Sequence, residues 1–195
     1  VSFIFNQNDD QKYSFSMIET NLNQKNNLEK NVNTVNESKK PANPRIKSIS
    51  GKCGDSANYT IESDAFIIIG SGKTYHYSFE RTAPWYDYHE SFKSIIIPNT
   101  ITELGNYSFF NFSKVESVTL PTSITKIGSN VFRDCHSLKK IVIPPAVTYI
   151  QIGAFSHCKS LTSATFLCHI TSFTKYLFED CPCLKTFTIP DCVTS

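Results

Sequence analysis

The segment most suggestive of chemistry is residues 70–74, Gly-Ser-Gly-Lys-Thr, which follows an apolar run and ends like a phosphate-binding loop. Such a loop needs glycine at both ends of G-x-x-x-x-G-K-T, so that its backbone amides can wrap around the phosphates. Ile67 stands where the first glycine would be, and an aromatic tract follows instead of an amphipathic helix. The sequence therefore favours a turn that ends a strand over a nucleotide site.

Three of the seven cysteines, Cys135, Cys158 and Cys181, are spaced 23 residues apart. If each lies on its own turn of a repeating structure, neighbouring rungs about 4.8 Å apart fall within the ~4.4–6.8 Å Cα separation of a disulfide. Cysteine also packs well as a small buried residue, and Phe112 fills the same column one repeat earlier. The presence of phenylalanine in the cysteine column favours a structural cysteine ladder, with disulfides as the alternative.

A metal site and a catalytic pair are both poorly supported. His169 and Cys192 occupy equivalent places in successive repeats, next to Cys168, but the paired C-x2-C spacing that zinc prefers is absent from the sequence. The carboxylates are scattered, and no recurring column places one to orient a base or a nucleophile. The sequence predicts no catalytic residue, no metal ligand set and no cofactor, so an enzyme is not expected.

The dominant pattern is a 23-residue repeat that runs five times through the second half of the chain without insertion or deletion. The recurring columns are apolar at Ile97, Leu120, Ile143, Phe166 and Ile189, threonine at Thr102, Thr125, Thr148, Thr171 and Thr194, and phenylalanine at Phe109, Phe132, Phe155 and Phe178. A period of this length is typical of a solenoid, in which each turn covers the apolar face of the next. The threonine hydroxyls are expected to satisfy backbone groups of neighbouring turns.

Each repeat is expected to begin with a short strand, at residues 94–97, 117–120, 140–143, 163–166 and 186–189. Apolar residues alternate within each strand, so Ile141 and Ile143 point inward while Lys140 and Val142 lie on the opposite face. Successive strands pair in parallel and leave a continuous outward strip, the strand face, which is our candidate ligand-binding surface. Its residues are Ser117, Thr119, Lys140, Val142, Ser163, Thr165, Thr186 and Thr188. Because this strip is rich in hydroxyls and nearly uncharged, it suits a protein or glycan ligand better than a phosphate-rich one.

The chain divides into three zones. Residues 1–50 are polar and rich in Asn and Lys, which predicts a disordered arm or at most a marginal helix. Residues 51–93 predict an N-terminal cap, a β-hairpin followed by an aromatic slab around Trp85, that covers the first apolar turn. Residues 94–195 hold the solenoid, and its last repeat stops without a closing element. The C-terminal end is therefore expected to be open or truncated.

The bulk composition excludes other partners. A formal charge of +2, without clustered Lys and Arg, gives no footprint for nucleic acid. No run approaches the ~18 apolar residues of a membrane helix, so no membrane insertion is expected within this chain. Four N-x-S/T sequons make Asn36, Asn58, Asn106 and Asn111 glycosylation candidates, which is compatible with secretion.

The repeat resembles a known family. Residues 141–144 (Ile-Val-Ile-Pro), 147–150 (Val-Thr-Tyr-Ile) and 154–158 (Ala-Phe-Ser-His-Cys) are similar to the Treponema-type leucine-rich repeat of BspA-like surface proteins from bacteria and parasitic protists. Residues 83–86 (Ala-Pro-Trp-Tyr) resemble part of that family's N-terminal cap. The resemblance implies an α/β solenoid of the leucine-rich repeat type. The chain departs from the pattern at Leu167, which replaces proline.

The same resemblance implies a cell-surface or extracellular protein that adheres to host matrix, host cells or other microbes. We therefore expect a non-enzymatic binding module that engages protein or glycan ligands through the strand face. The alternative is a scaffold segment that associates with copies of itself through its open C-terminal repeat.

Overall fold

The computed structural model of the chain describes residues 2–7, 13–18 and 49–188, and these ranges form a solenoid of short strands. The strands are β1 (Ser2–Gln7), β2 (Tyr13–Ile18), β3 (Ile49–Lys52), β4 (Ser56–Glu62), β5 (Ala65–Lys73), β6 (Ser94–Ile96), β7 (Ile101–Leu104), β8 (Ser117–Val118), β9 (Lys126–Ile127), β10 (Lys140–Ile143), β11 (Tyr149–Ile150), β12 (Ser163–Phe166) and β13 (Thr186–Thr188). Within the described ranges the single helical segment is a 3-10 turn at Tyr86–Tyr88. The solenoid predicted from the 23-residue period is confirmed, and turns rather than α-helices return the chain between its strands.

The strands form two parallel ladders. The main ladder takes one strand from the cap and one from each repeat, in the order β5-β6-β8-β10-β12-β13. The second ladder, β5-β7-β9-β11, runs along the segment that follows the proline column. The main ladder was expected from the alternation of apolar residues, whereas the second was expected only as a return segment. The repeat strands of this ladder, β7, β9 and β11, are too short, at two to four residues, to show a period of their own.

The core is a stack of phenylalanine rings along the solenoid axis. Phe109 and Phe132 have ring centroids 5.5 Å apart, as do Phe132 and Phe155, and Phe178 lies 5.8 Å beyond. Their planes differ by less than 20° in each pair, because an exact repeat places the same side chain in the same orientation one turn later. Stacked aromatic pairs add favourable contact energy beyond the burial of their area.

The threonine column carries out the fold role that the sequence predicts. The Thr125 hydroxyl donates to the carbonyl oxygen of Thr102 at 3.1 Å, and the Thr148 hydroxyl donates to that of Thr125 at 3.2 Å. The amides of Thr125 and Thr148 donate to the same two carbonyls, at 2.8 and 2.9 Å. Each carbonyl thus uses both lone pairs on the next turn, which fixes the spacing of the coils.

Two turn positions in each of the first four repeats adopt a left-handed backbone, which was not predicted from the sequence. The first column is Tyr107, Asn130, Gly153 and Tyr176, and the second is Asn111, Asp134, His157 and Asp180, all with φ between 51° and 65°. Asn, Asp, His and Gly tolerate this conformation best, and they fill six of the eight positions. Repeated left-handed residues prevent an α-helix here and explain the turn structure.

The cap is confirmed as a β-hairpin with an aromatic slab. β4 and β5 pair antiparallel through a turn at Ser63 and Asp64, and β3 adds to the outer edge of β4. Trp85 lies underneath, 1% exposed, with its ring 4.8 Å from those of both Tyr59 and Phe66. Because β5 heads both parallel ladders, the hairpin covers the apolar slice that the first repeat would otherwise expose.

The N-terminal arm departs from the prediction. Residues 2–7 and 13–18 form the antiparallel pair β1–β2, so neither disorder nor a marginal helix holds for these two ranges. Residues 13–18, Tyr-Ser-Phe-Ser-Met-Ile, alternate polar and apolar residues with the period of a strand, a signal that the polar composition around them obscured. The rest of residues 1–48 lies outside the described ranges.

The last repeat strand is not an open edge in this structure. β1 pairs antiparallel with β13, in the register Ser2 to Thr188 and Ile4 to Thr186. Residues 189–195, which include the end of the fifth repeat, lie outside the described ranges. The open C-terminal edge expected from the sequence is thus covered by the N-terminal strand.

Candidate binding surface

The strand face lies on the outer side of the main ladder, where strand alternation places it. Parallel pairing aligns Lys140 with Ser117 and Ser163, and it aligns Thr165 with Val142 and Thr188. Seven of the eight predicted residues thus form two parallel rows that run along the solenoid, and Thr119 follows the end of β8. Each of the eight is exposed or half-buried. Their role in binding stays a prediction.

The same alternation separates the strand face sharply from the core. Val142 is 48% exposed, whereas its neighbours Ile141 and Ile143 are 2% and 0% exposed. A substitution at Val142 therefore changes the surface without opening a cavity. Lys140 is the single charged residue among the eight, so the face presents hydroxyl and methyl groups rather than a charged patch.

A shallow groove with a volume of about 550 Å³ lies on the strand face over the first two repeats. Its lining includes Ser94, Ile96, Pro98, Asn99, Ser117 and Thr119. The Asn99 side-chain oxygen accepts a hydrogen bond from the Thr122 amide at 3.2 Å, which ties the rim of the groove to the next turn. Asn99 was not singled out in the sequence, because its column carries a different residue type in each repeat.

Large apolar side chains add to the strand face on the cap and on two of the repeats. Ile69 on the cap strand, Ile96 on the first repeat and Leu167 on the fourth are each about half exposed. Leu167 replaces the proline of the other repeats, and its amide donates to the Ile143 carbonyl at 2.9 Å, a bond that proline could not make. Ile69 was not predicted as part of this surface, because it precedes the first repeat.

The cysteine ladder is a packing device in this structure. Cys135, Cys158 and Cys181 are free thiols, and each donates to the carbonyl of a phenylalanine 26 residues earlier, at 3.4, 3.2 and 3.2 Å. The thiol thus satisfies a carbonyl at the bend next to the phenylalanine stack. These hydrogen bonds support the structural role over the disulfide alternative.

We expect the thiols to differ widely in reactivity. Burial raises the pKa of the Cys53 thiol to about 11, and burial also raises that of Cys135, so few thiolates form near neutral pH. Cys183 is exposed. Iodoacetamide at pH 8 should therefore alkylate Cys183 at least tenfold faster than Cys53 or Cys135, as mapped by mass spectrometry of timed digests. Rapid labelling of Cys135 in the folded protein would contradict the buried ladder, and labelling in urea serves as the control.

The remaining candidate residues do not assemble into a reactive site. Residues 70–73 belong to strand β5, and Lys73 pairs with the Glu103 carboxylate at 2.7 Å. In the described part of the chain, no three His, Cys, Asp or Glu side chains are grouped to hold a metal ion. Cys192 lies outside that part, and His169 is exposed.

The sequons differ in exposure. Asn58 lies on β4 with an exposed side chain, whereas Asn106 and Asn111 are half-buried. The Asn106 side-chain oxygen accepts a hydrogen bond from the Ser129 amide at 2.9 Å, so its carboxamide is part of the turn structure. Asn36 lies outside the described ranges. Asn58 is thus the best placed of the described candidates to carry a glycan.

Comparison with known proteins gives a family match and a set of similar folds. The model of the BspA type leucine-rich repeat region matches residues 84–195 in six copies, one more than the five aligned in the sequence. No curated protein matches the chain.

Two solved structures share the fold. A leucine-rich repeat protein from Eubacterium ventriosum is 18% identical with a TM-score of 0.55, over 75% of this chain and 39% of its own. A leucine-rich cell surface protein from Faecalibacterium prausnitzii is 26% identical with a TM-score of 0.56, over 75% of this chain and 44% of its own. The chain thus spans less than half the length of either protein. Among the residues described, no helix has the length and apolarity to cross a bilayer.

Proposed function

Because the chain belongs to the BspA-type leucine-rich repeat family, we propose that it is a non-enzymatic binding module, secreted or displayed at a cell surface, that adheres to protein or glycan ligands through its strand face. The observation that carries the proposal is the pair of in-register rows on the main ladder, whose residues are exposed or half-buried. An interface needs such a surface to be both rigid and accessible. The phenylalanine stack and the threonine ladder supply the rigidity from within.

The chemistry of the strand face supports adhesion to uncharged or weakly charged ligands. Serine and threonine hydroxyls donate and accept hydrogen bonds, while Ile96, Val142 and Leu167 offer apolar contacts at half exposure. The absence of titratable groups from this face, apart from Lys140, leaves no acid–base pair on it. Five short strands offer a modest area, so a single copy should bind weakly, and display of many copies raises the effective affinity.

The proposed location has separate support. The structural neighbour from F. prausnitzii is described as a cell surface protein. An exposed sequon at Asn58 is compatible with passage through a secretory pathway. From the family resemblance, we propose host matrix, host cells and other microbes as the sources of ligand.

The test is a binding screen with a substitution on the strand face. Copies of the chain that are linked artificially into tetramers are applied to an array of purified extracellular-matrix proteins and neutral glycans. We expect Val142→Asp to weaken the strongest interaction at least tenfold, because it replaces an apolar contact by a charge that must lose water on binding. Tyr149→Asp, at a similarly exposed residue of the second ladder, is the matched control and should bind normally. Equal binding by wild type and Val142→Asp would refute the strand face as the adhesive surface.

Self-association through the last repeat is the second candidate function. Such contact requires β1 to leave β13, since β1 occupies that edge in this structure. Self-association therefore needs a conformational change that ligand binding does not need. A scattering mass that stays at one chain from micromolar to millimolar concentration would rule it out.

A further inference from the structure

A cluster of aromatic rings lies where the cap meets the turns of the first repeat, apart from the strand face. It consists of Phe79, Tyr86, Tyr107 and Phe110, which we call the aromatic platform. The Phe79 ring lies 5.0 Å from that of Tyr107 and 4.9 Å from that of Phe110, and the Tyr86 ring is parallel to Phe110 within 5° at 6.1 Å. Phe79 is 58% exposed, more than any other large apolar side chain in the described residues.

The repeat itself does not require these aromatic residues. One turn later, the column of Tyr107 holds Asn130 and the column of Phe110 holds Arg133, and the backbone keeps the same course. Tyr107 even adopts a left-handed backbone, which suits asparagine better than tyrosine. The first repeat therefore carries two large rings at positions where the fold accepts polar residues.

The platform is held in place before any ligand arrives. The Tyr107 amide donates to the Ser129 carbonyl at 2.9 Å, and the Phe110 amide donates to the Tyr107 carbonyl at 3.3 Å. On the cap side, Tyr86 lies in the 3-10 turn and stacks on His89, with ring centroids 4.7 Å apart. A ligand therefore meets rings that lose little conformational freedom on binding.

Hydrogen-bonding groups are available around the rings. The phenol hydroxyls of Tyr86 and Tyr107 make no hydrogen bond within the described part of the chain. Arg133 places its guanidinium 6.0 Å from the centre of the Phe79 ring, and its Nε donates to Asp134 at 3.4 Å. The neighbouring carboxylate offsets the arginine charge, so the platform favours a neutral ligand with polar groups over a phosphate or sulfate.

The size of the platform selects among neutral ligands. Four partly exposed rings present at most a few hundred Å² of apolar surface, since a whole aromatic side chain buries about 150–250 Å². A stable protein interface needs roughly 800 Å² from each partner. A pyranose ring, by contrast, has a flat face of C–H groups that covers one or two aromatic rings, and a rim of hydroxyls that reaches their polar neighbours.

From this geometry we propose that the aromatic platform is a saccharide-binding site for neutral hexopyranose chains, separate from the strand face. Sugar rings stack on the exposed Phe79 ring and pack along the edges of Tyr86 and Phe110, and their hydroxyls bond the Tyr86 and Tyr107 phenols and the Arg133 guanidinium. The site adds a second ligand class to a chain whose strand face can hold another partner at the same time.

The test uses calorimetric titration of the full chain with three neutral hexasaccharides: cellohexaose, maltohexaose and hexa-N-acetylchitohexaose. We expect at least one to bind with a millimolar or tighter Kd. The double variant Tyr107→Asn with Phe110→Ser, residue types that later repeats carry in these columns, should bind at least tenfold more weakly. Tyr149→Asn removes an exposed ring outside the platform and should leave the Kd unchanged, so a loss in the double variant alone assigns the site to the platform.

Three outcomes would overturn the proposal. The first is that none of the three hexasaccharides binds at millimolar concentration. The second is that the double variant binds as well as wild type. The third is that sedimentation shows wild-type dimers which the double variant abolishes, because the rings would then be a contact between copies. If the double variant fails to fold, Phe79→Ala decides in its place, since that side chain is mostly exposed.

Discussion

Phe132→Ala is expected to lower the free energy of unfolding by about 3–5 kcal/mol, the range for truncating a fully buried phenylalanine. The Phe132 ring is 0% exposed and stacks on both Phe109 and Phe155 at 5.5 Å, so its loss leaves a cavity between two turns. Because each turn of a solenoid contacts only its neighbours, this cavity also weakens the coupling between the two halves. Urea denaturation followed by circular dichroism measures both effects, as a lower midpoint and a shallower transition.

Phe178→Ala is the matched control for this result. Phe178 belongs to the same column but lies near the end of the stack and is half-buried, so we expect a clearly smaller loss of stability. A loss at Phe132 that does not exceed the loss at Phe178 would show that the continuous ring stack is not the main source of stability.

The solenoid was predictable because an exact repeat converts sequence spacing directly into spatial contact. Residues 23 apart occupy the same place on successive turns, so each Phe, Thr or Cys in a column could be assigned its neighbour from the spacing. The hydrogen bonds of Thr125 and Thr148 to the preceding turn then follow from the column alone, whereas the thiol contacts of Cys135 and Cys158 join residues 26 apart in two different columns. Local propensity had little part in this success.

The features that the sequence did not reveal depend on single positions or on distant segments. Gly105 shows that the residue types of a repeat column do not explain every position in it. A Cβ built at Gly105 would meet the Tyr75 carbonyl oxygen at 2.0 Å, because the cap passes directly over this residue. Two turns later Gln151 fills the same column, and its side-chain oxygen accepts hydrogen bonds from the Ser129 amide and hydroxyl at 3.0 and 2.8 Å. The requirement for glycine at position 105 thus comes from the cap segment that passes over it, and the residue types of the column do not set it.

The two candidate binding surfaces also differ in whether the sequence predicts them. The strand face follows from alternation within one strand, so Val142 could be placed outward from the positions of Ile141 and Ile143 alone. The aromatic platform needs a cap residue, Phe79, to meet Tyr107 from the first repeat, and no pattern within either segment encodes that contact. The repeat pattern therefore predicts the strand face, which all turns share. It does not predict the aromatic platform, which forms only where the cap meets the first repeat.

Trp85→Ala is expected to cost about 3–5 kcal/mol as well, and to detach the cap before the repeats unfold. The indole ring is packed against Tyr59, Phe66 and Tyr77, with centroids 4.8, 4.8 and 5.2 Å away. Removal of this ring leaves the hairpin above without its apolar support. Hydrogen exchange should then show that amides of β4 and β5 lose protection at lower urea concentration than those of β10 and β12. Because Trp85 is the single tryptophan of the chain, circular dichroism must replace fluorescence as the probe.

Trp85→Phe separates packing from hydrogen bonding at this position. The Trp85 indole nitrogen donates to the Ser108 carbonyl at 2.8 Å, and Ser108 is itself 1% exposed, so a phenylalanine leaves that carbonyl buried without its donor. Such a loss costs about 1–3 kcal/mol, less than the full truncation. If Trp85→Ala lowered the free energy of unfolding no more than Trp85→Phe, the tryptophan would stabilise the protein mainly through its hydrogen bond. If the repeats lost protection together with the cap, the tryptophan would stabilise the whole fold. In either case the cap would not be a separate unit seated on an aromatic core.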